Sequence, residues 1–85
     1  MKMSDQKEMD PYEALAMAIV EAAADDYRSA LRTLSKDPEN EIARDEILDI
    51  RKFFRSGWYM MLTSIDGEYL IRMLDGEYPD VEVYE

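Results

Sequence analysis

The chain contains no His and no Cys, so its chemistry would have to come from carboxylates, cations and hydroxyls. That removes the usual general base, the thiolate nucleophile, disulfides and the commonest zinc ligands. Acid–base or metal chemistry could still use paired carboxylates. The candidate pairs are Asp25/Asp26, Asp45/Asp49 and Glu41/Asp45, the last two at i, i+4 spacing and therefore each on one helix face. Arg44, Arg51 and Lys52 interleave with them, which is the pattern of a solvated helix surface. No catalytic residue, metal site or cofactor is expected, and the chain is not read as an enzyme.

A second constellation is "RKFFRSGWY", residues 51–59, where Arg51, Lys52 and Arg55 sit among Phe53, Phe54, Trp58 and Tyr59. Arginine forks onto phosphate and aromatic rings stack on bases. Ser56 and Gly57 could present backbone N–H groups at a helix start. Arg51, Lys52, Arg55, Trp58 and Tyr59 are thus the candidate site for an anion such as a nucleotide or cyclic dinucleotide, and the protein could be a sponge for nucleotide signals. The plainer reading buries Phe54 and Trp58 in a core and leaves the cations solvated at a helix C-terminus, where the dipole favours them.

The third feature is acid. Twenty Asp and Glu oppose ten Lys and Arg, a formal net charge of −10. Such a body repels nucleic acid and anionic membrane and attracts basic surfaces. Beyond Arg55 the only cation is Arg72, against Asp66, Glu68, Asp75, Glu77, Asp80, Glu82 and Glu85. Glu21, Asp25 and Asp26 add to them from the first helix. Carboxylates along a helix and an extended tail can imitate a phosphate backbone, so those seven are the candidate partner-binding surface. The expected partner is a basic nucleic-acid-binding host protein, with no direct nucleic acid and no membrane. Acidity for solubility alone is the plainer alternative.

These residues need elements to hold them. A chain of 85 residues makes one domain with a small core, and self-association into a homodimer or a larger structural or regulatory assembly stays open. The polar start "MKMSDQKEMD" has no signal-peptide core and no apolar run reaches a membrane span, so a cytoplasmic location is expected. Residues 1–9 are read as a flexible N-terminus. Asp10 as N-cap, Pro11 and Glu13 then open a helix over 11–35. Its apolar stripe is Tyr12, Leu15, Ile19, Ala23, Tyr27, Ala30 and Leu34. Asp37 and Pro38 repeat the cap-and-proline device, opening a helix over 38–55 that carries Ala43, Ile47, Ile50 and Phe54. The short connection makes these two an antiparallel hairpin. "WYMML" reads as one or two turns of core, with a patch for a partner or a second copy as the alternative. A last helix spans 65–75, with Thr63 and Asp66 in capping-box spacing.

The tetrapeptide Asp-Gly-Glu-Tyr occurs at 66–69 and again at 75–78. The two copies lie about 2.5 helical turns apart and so on opposite sides of one helix. They read as its start and its stop, with Gly76 taking the left-handed C-terminal position. The alternating carboxylates of a calcium loop are missing. Pro79 stops the helix, and residues 77–85 are read as an acidic, partly ordered tail, with a short edge strand or a segment that adds to a partner's sheet as alternatives.

The stretch "RKFFRSGWYMMLTSIDGEYLIRML" is similar to a group of small proteins encoded by prophages and integrative elements of Firmicutes and related gut bacteria. The likeness rests on three motifs: a "DYR" step (Asp26, Tyr27, Arg28), Phe-Phe-x-Ser-x-Trp (Phe53, Phe54, Ser56, Trp58) and Asp-Gly-Glu-Tyr-Leu-Ile from Asp66 to Ile71. It covers residues 11–74 and brings no catalytic residue. It implies a setting, in which small mobile-element proteins act on host machinery or defence. The expectation is an all-α three-helix bundle over 10–76 plus the tail, working as an acidic inhibitor of the anti-CRISPR or anti-defence type.

Overall fold

The computed structural model describes residues 10–85, and the flexible start expected at 1–9 lies outside the described residues. The fold is all-α. The order is α1 (Pro11–Lys36), α2 (Glu41–Phe54), α3 (Gly57–Leu62) and α4 (Gly67–Gly76). Each start is set by a short polar side chain that accepts a backbone N–H from the first turn. Asp10 accepts from Tyr12 at 3.1 Å, Asn40 from Ala43 at 2.9 Å, Ser56 from Tyr59 at 3.1 Å and Asp66 from Glu68 at 3.3 Å.

Two caps differ from expectation. Asp37 and Pro38 do not open α2. The Asp37 N–H instead closes α1 on the Thr33 carbonyl at 2.8 Å, and the chain turns before Asn40 caps the next helix. Both readings satisfy the rule that orphan backbone groups need partners, and the length of the turn decides between them. Thr63 likewise does not cap α4; it accepts from the Ile65 N–H, and Asp66 takes the capping role.

α1 and α2 form the antiparallel hairpin, and α4 packs across both. The core joins Tyr27, Leu31 and Leu34 of α1 to Ile47 and Phe54 of α2, Tyr59 of α3, and Ile71 and Leu74 of α4. Phe54 sits at the centre, with the Tyr27 ring 5.9 Å and the Tyr59 ring 5.6 Å from it. The tail is no appendage. Tyr78, Val81 and Val83 pack on the core, and the Ser35 hydroxyl donates to Asp80 at 3.1 Å.

The stripe on α1 is only half core. Tyr27, Ala30 and Leu34 are buried, but Leu15 is 60% exposed and Tyr12 is exposed too, because α4 lies on the other flank of α1. "WYMML" also departs from the core reading. Only Tyr59 is buried, while Met60 and Met61 are each 73% exposed.

The two glycines of the repeated tetrapeptide have different jobs. A Cβ on Gly67 would lie 1.9 Å from the Phe54 carbonyl oxygen, so the start of α4 can approach the end of α2 only without a side chain. Gly76 meets nothing within 4 Å and is helical, not left-handed; the helix ends on Glu77 in right-handed geometry. Gly67→Ala is therefore expected to cost about 1–3 kcal/mol through forced displacement of packed backbone. Gly76→Ala is expected to be neutral or to gain up to about 1 kcal/mol from reduced unfolded-state freedom. Urea unfolding of the two variants checks this; equal losses would refute the assignment.

Candidate functional site

The densest polar cluster lies where α1, α2, α4 and the tail meet. Arg51 is only 8% exposed, since the hydrophobic period of α2 places it on the core side beside Ile47 and Phe54. A buried guanidinium must be met by acceptors. Its Nε donates to the Tyr27 hydroxyl at 2.9 Å, one terminal nitrogen to Asp75 at 3.0 Å and the other to Glu85 at 2.7 Å. The Tyr27 hydroxyl in turn donates to the second Asp75 oxygen at 2.7 Å. Burial opposes the charge on Arg51, but the bonds to Tyr27 and Glu85 and the field of Asp75 outweigh it and hold the pKa up.

Arg55, one turn further on, bridges Glu68 of α4 and Glu85 of the tail. Arg28 of α1 bonds Glu77 at 2.9 Å. The two rival sequence-predicted sites are thus one network. Arg51 and Arg55, the core of the expected anion site, already bind Glu68, Asp75 and Glu85 of the expected acidic surface. Lys52 stays exposed, Trp58 is 56% exposed, and the buried Tyr59 hydroxyl has no partner among the described residues.

The acidic candidates are fasteners as well as charges. Glu68, Asp75, Glu77 and Glu85 are in ion pairs with arginines, Asp66 caps α4, Asp80 accepts from Ser35, and Glu82 accepts from the Tyr84 hydroxyl. In contrast Glu21, Asp26, Asp45, Glu46 and Asp49 of the hairpin are in no ion pair among the described residues. Asp66, Asp80 and Glu82 are in no ion pair either, but each accepts a hydrogen bond, and those five hairpin carboxylates accept none among the described residues.

Two apolar depressions flank α1. One of about 430 Å³ lies on the α4 side, between Met17, Val20 and Ala24 and the Thr63, Ile65 and Leu70 side chains. The other, about 420 Å³, lies on the opposite flank, where Ile19 and Ala22 of α1 face Ile50 and Phe53 of α2 and Trp58 closes one end. Asp26 and Asp49 stand on its rim. The Trp58 ring is braced edge-on against Phe53, centroids 5.4 Å apart. Apolar spacing alone could not reveal this groove, because it counted Leu15 and Ile19 as core. Among the described residues no group of three acidic, His or Cys side chains is placed to hold a metal, and no helix is long and apolar enough to cross a membrane.

No protein-family model, curated protein or solved structure matches the chain.

The network has consequences for stability. Tyr27→Phe leaves the buried Arg51 Nε and an Asp75 oxygen short of a partner and is expected to cost about 1–3 kcal/mol. The pH dependence follows from the directions of the shifts. Hydrogen bonds from Arg55 to Glu68, from Arg28 to Glu77 and from Arg51 and Arg55 to Glu85 hold these carboxyls below their ordinary range. Their stabilisation is fully present above about pH 4.3 and is lost as pH falls through the lowered values. Burial first, and then the bond to Asp75, raise the Tyr27 phenol above its ordinary value. Its contribution is present below about pH 10 and is lost as pH rises through the raised value. Urea midpoints followed across pH are expected to show a plateau with an acid and an alkaline limb. Arg55→Gln should flatten the acid limb and Tyr27→Phe the alkaline one; unchanged limbs in both variants would refute the account.

Proposed function

We propose that the protein is a non-enzymatic binding protein that inhibits a basic, nucleic-acid-handling host protein, in the manner of an anti-CRISPR or other anti-defence protein, by competing with nucleic acid for the partner's basic surface. The observation that carries this reading is the division of the acid. A net charge of −10 remains after the arginines of the network are paired, and the hairpin keeps Asp26, Asp45 and Asp49 free of ion pairs among the described residues. A field of that sign steers a basic partner and weakens with salt. The mobile-element setting implied by the Phe53–Phe54–Ser56–Trp58 and 66–71 motifs agrees with it. Occupation of Arg51 and Arg55 by Glu68, Asp75 and Glu85 weighs against the nucleotide-sponge reading, because an incoming anion would have to displace the tail.

The immobilised protein, exposed to bacterial lysate, is expected to capture a basic nucleic-acid-binding protein that duplex DNA displaces. Release should come when salt rises from about 0.05 M to about 0.3 M, where screening shortens to a few ångström. Neutralising Asp26, Asp45 and Asp49 together to Asn should weaken capture more than neutralising Asp80 and Glu82. Capture indifferent to DNA and salt would overturn the reading, as would no captured protein together with thermal stabilisation by a nucleotide panel.

A further inference from the structure

A pair of packed antiparallel helices has two grooves, one on each side. In this fold α4 and the tail fill one, and the other is open. Its two sides are Ile19, Ala22, Ala23 and Asp26 of α1 and Asp49, Ile50 and Phe53 of α2. Trp58 is 56% exposed and Ala22 is exposed too, so apolar surface of the groove is turned to solvent.

We propose that this open groove, floored by Ile19, Ala22, Ile50 and Phe53 and ended by Trp58, docks an amphipathic α-helix of a partner protein whose apolar face is flanked by Lys or Arg. The inference rests on the reading of the protein as a binder of a basic partner and names the surface and the recognition element. Three features select that occupant. The α1 side of the groove, from Ile19 to Asp26, runs about 11 Å, the length of two turns of helix. Alanine at 22 and 23 leaves room for a helix to approach closely, as α4 approaches α2 at Gly67 on the closed side. The rim charges are Asp26 and Asp49, with no cation among the groove's lining residues, so a basic flank is complementary. A second copy of the same chain would bring Asp26 and Asp49 against their own kind, and like charges at close range oppose that pairing. An apolar face set into such a groove is a recurrent mode of peptide recognition.

Trp58 is the sole tryptophan of the chain and reports on the groove directly. The probe is a set of synthetic 18-residue peptides, each with Leu or Ile at i, i+3, i+4 and i+7 and Lys at the flanking positions. Saturable binding is expected, with a blue shift and a rise in Trp58 emission as the ring leaves water. Peptides of the same composition with the amphipathic order scrambled should not bind. Ala22→Arg, at an exposed helix position, should abolish the shift while leaving the circular dichroism unchanged. Asp26→Asn with Asp49→Asn should weaken binding about tenfold at low salt, the effect of two exposed charge pairs.

Equal binding of ordered and scrambled peptides, or binding indifferent to Ala22→Arg, would overturn the groove and leave the charge-based function standing. So would a protein that sediments as a dimer with Trp58 already shielded. If ordered peptides bind through the groove but capture from lysate is indifferent to DNA and salt, the groove stands and the inhibitor reading falls.

Discussion

Arg51 lies on the inner side of α2, and a guanidinium there is tolerable only if acceptors reach it from every direction. They come from three separate elements: the Tyr27 hydroxyl from α1, Asp75 from α4 and Glu85 from the tail. Asp75 cannot be placed correctly without fixing the angle at which α4 crosses the hairpin. The apolar core would accept several such angles, since burial is proportional to area and has no direction. The hydrogen bonds of Arg51 have direction, and they select one.

That selection determines what the molecule shows to solvent. Once α4 is tied to α2 through Arg51–Asp75 and Arg55–Glu68, and to α1 through Arg28–Glu77, one groove of the hairpin is closed. The carboxylates of α4 and the tail then serve as fasteners, and the uncommitted acid is left on α1 and α2. The same step leaves Trp58 braced on Phe53 at the end of the open groove. The two sides of the hairpin therefore differ: ion pairs hold the closed face, and Asp26 and Asp49 stand beside Ile50, Phe53 and Trp58 on the open one.

The close approach at Gly67 belongs to the same constraint. α4 must begin against the Phe54 carbonyl for Glu68 to reach Arg55 and for Asp75, two turns later, to reach Arg51. A larger residue at Gly67 would move the start of α4 and with it every acceptor on that helix. The second glycine of the repeat carries no such duty, which shows how four identical letters acquire unequal weight from their neighbours.

The helices themselves were legible in the amino-acid sequence, because the period of Tyr27, Ala30 and Leu34, the Asp10 cap and the proline after α4 act over a few residues. So were the all-α class, the acidity and the absence of thiol and imidazole chemistry. Local rules reached less far at the 37–40 turn, where Asp37 and Asn40 both satisfy capping chemistry and only the observed backbone chooses Asn40. They could not tell that Ile19 faces an open groove or that Leu15 is left in solvent, since helical spacing defines a face and not what covers it. Nor could they join Arg51 to Tyr27 and Glu85, 24 and 34 residues away, because the meeting of buried charge with its acceptors depends on how the helices cross. The sequence determined which segments coil and what charge they carry; tertiary packing decided which carboxylates are tied to arginine and which remain in solvent, because an ion pair forms only where packing brings its two ends together.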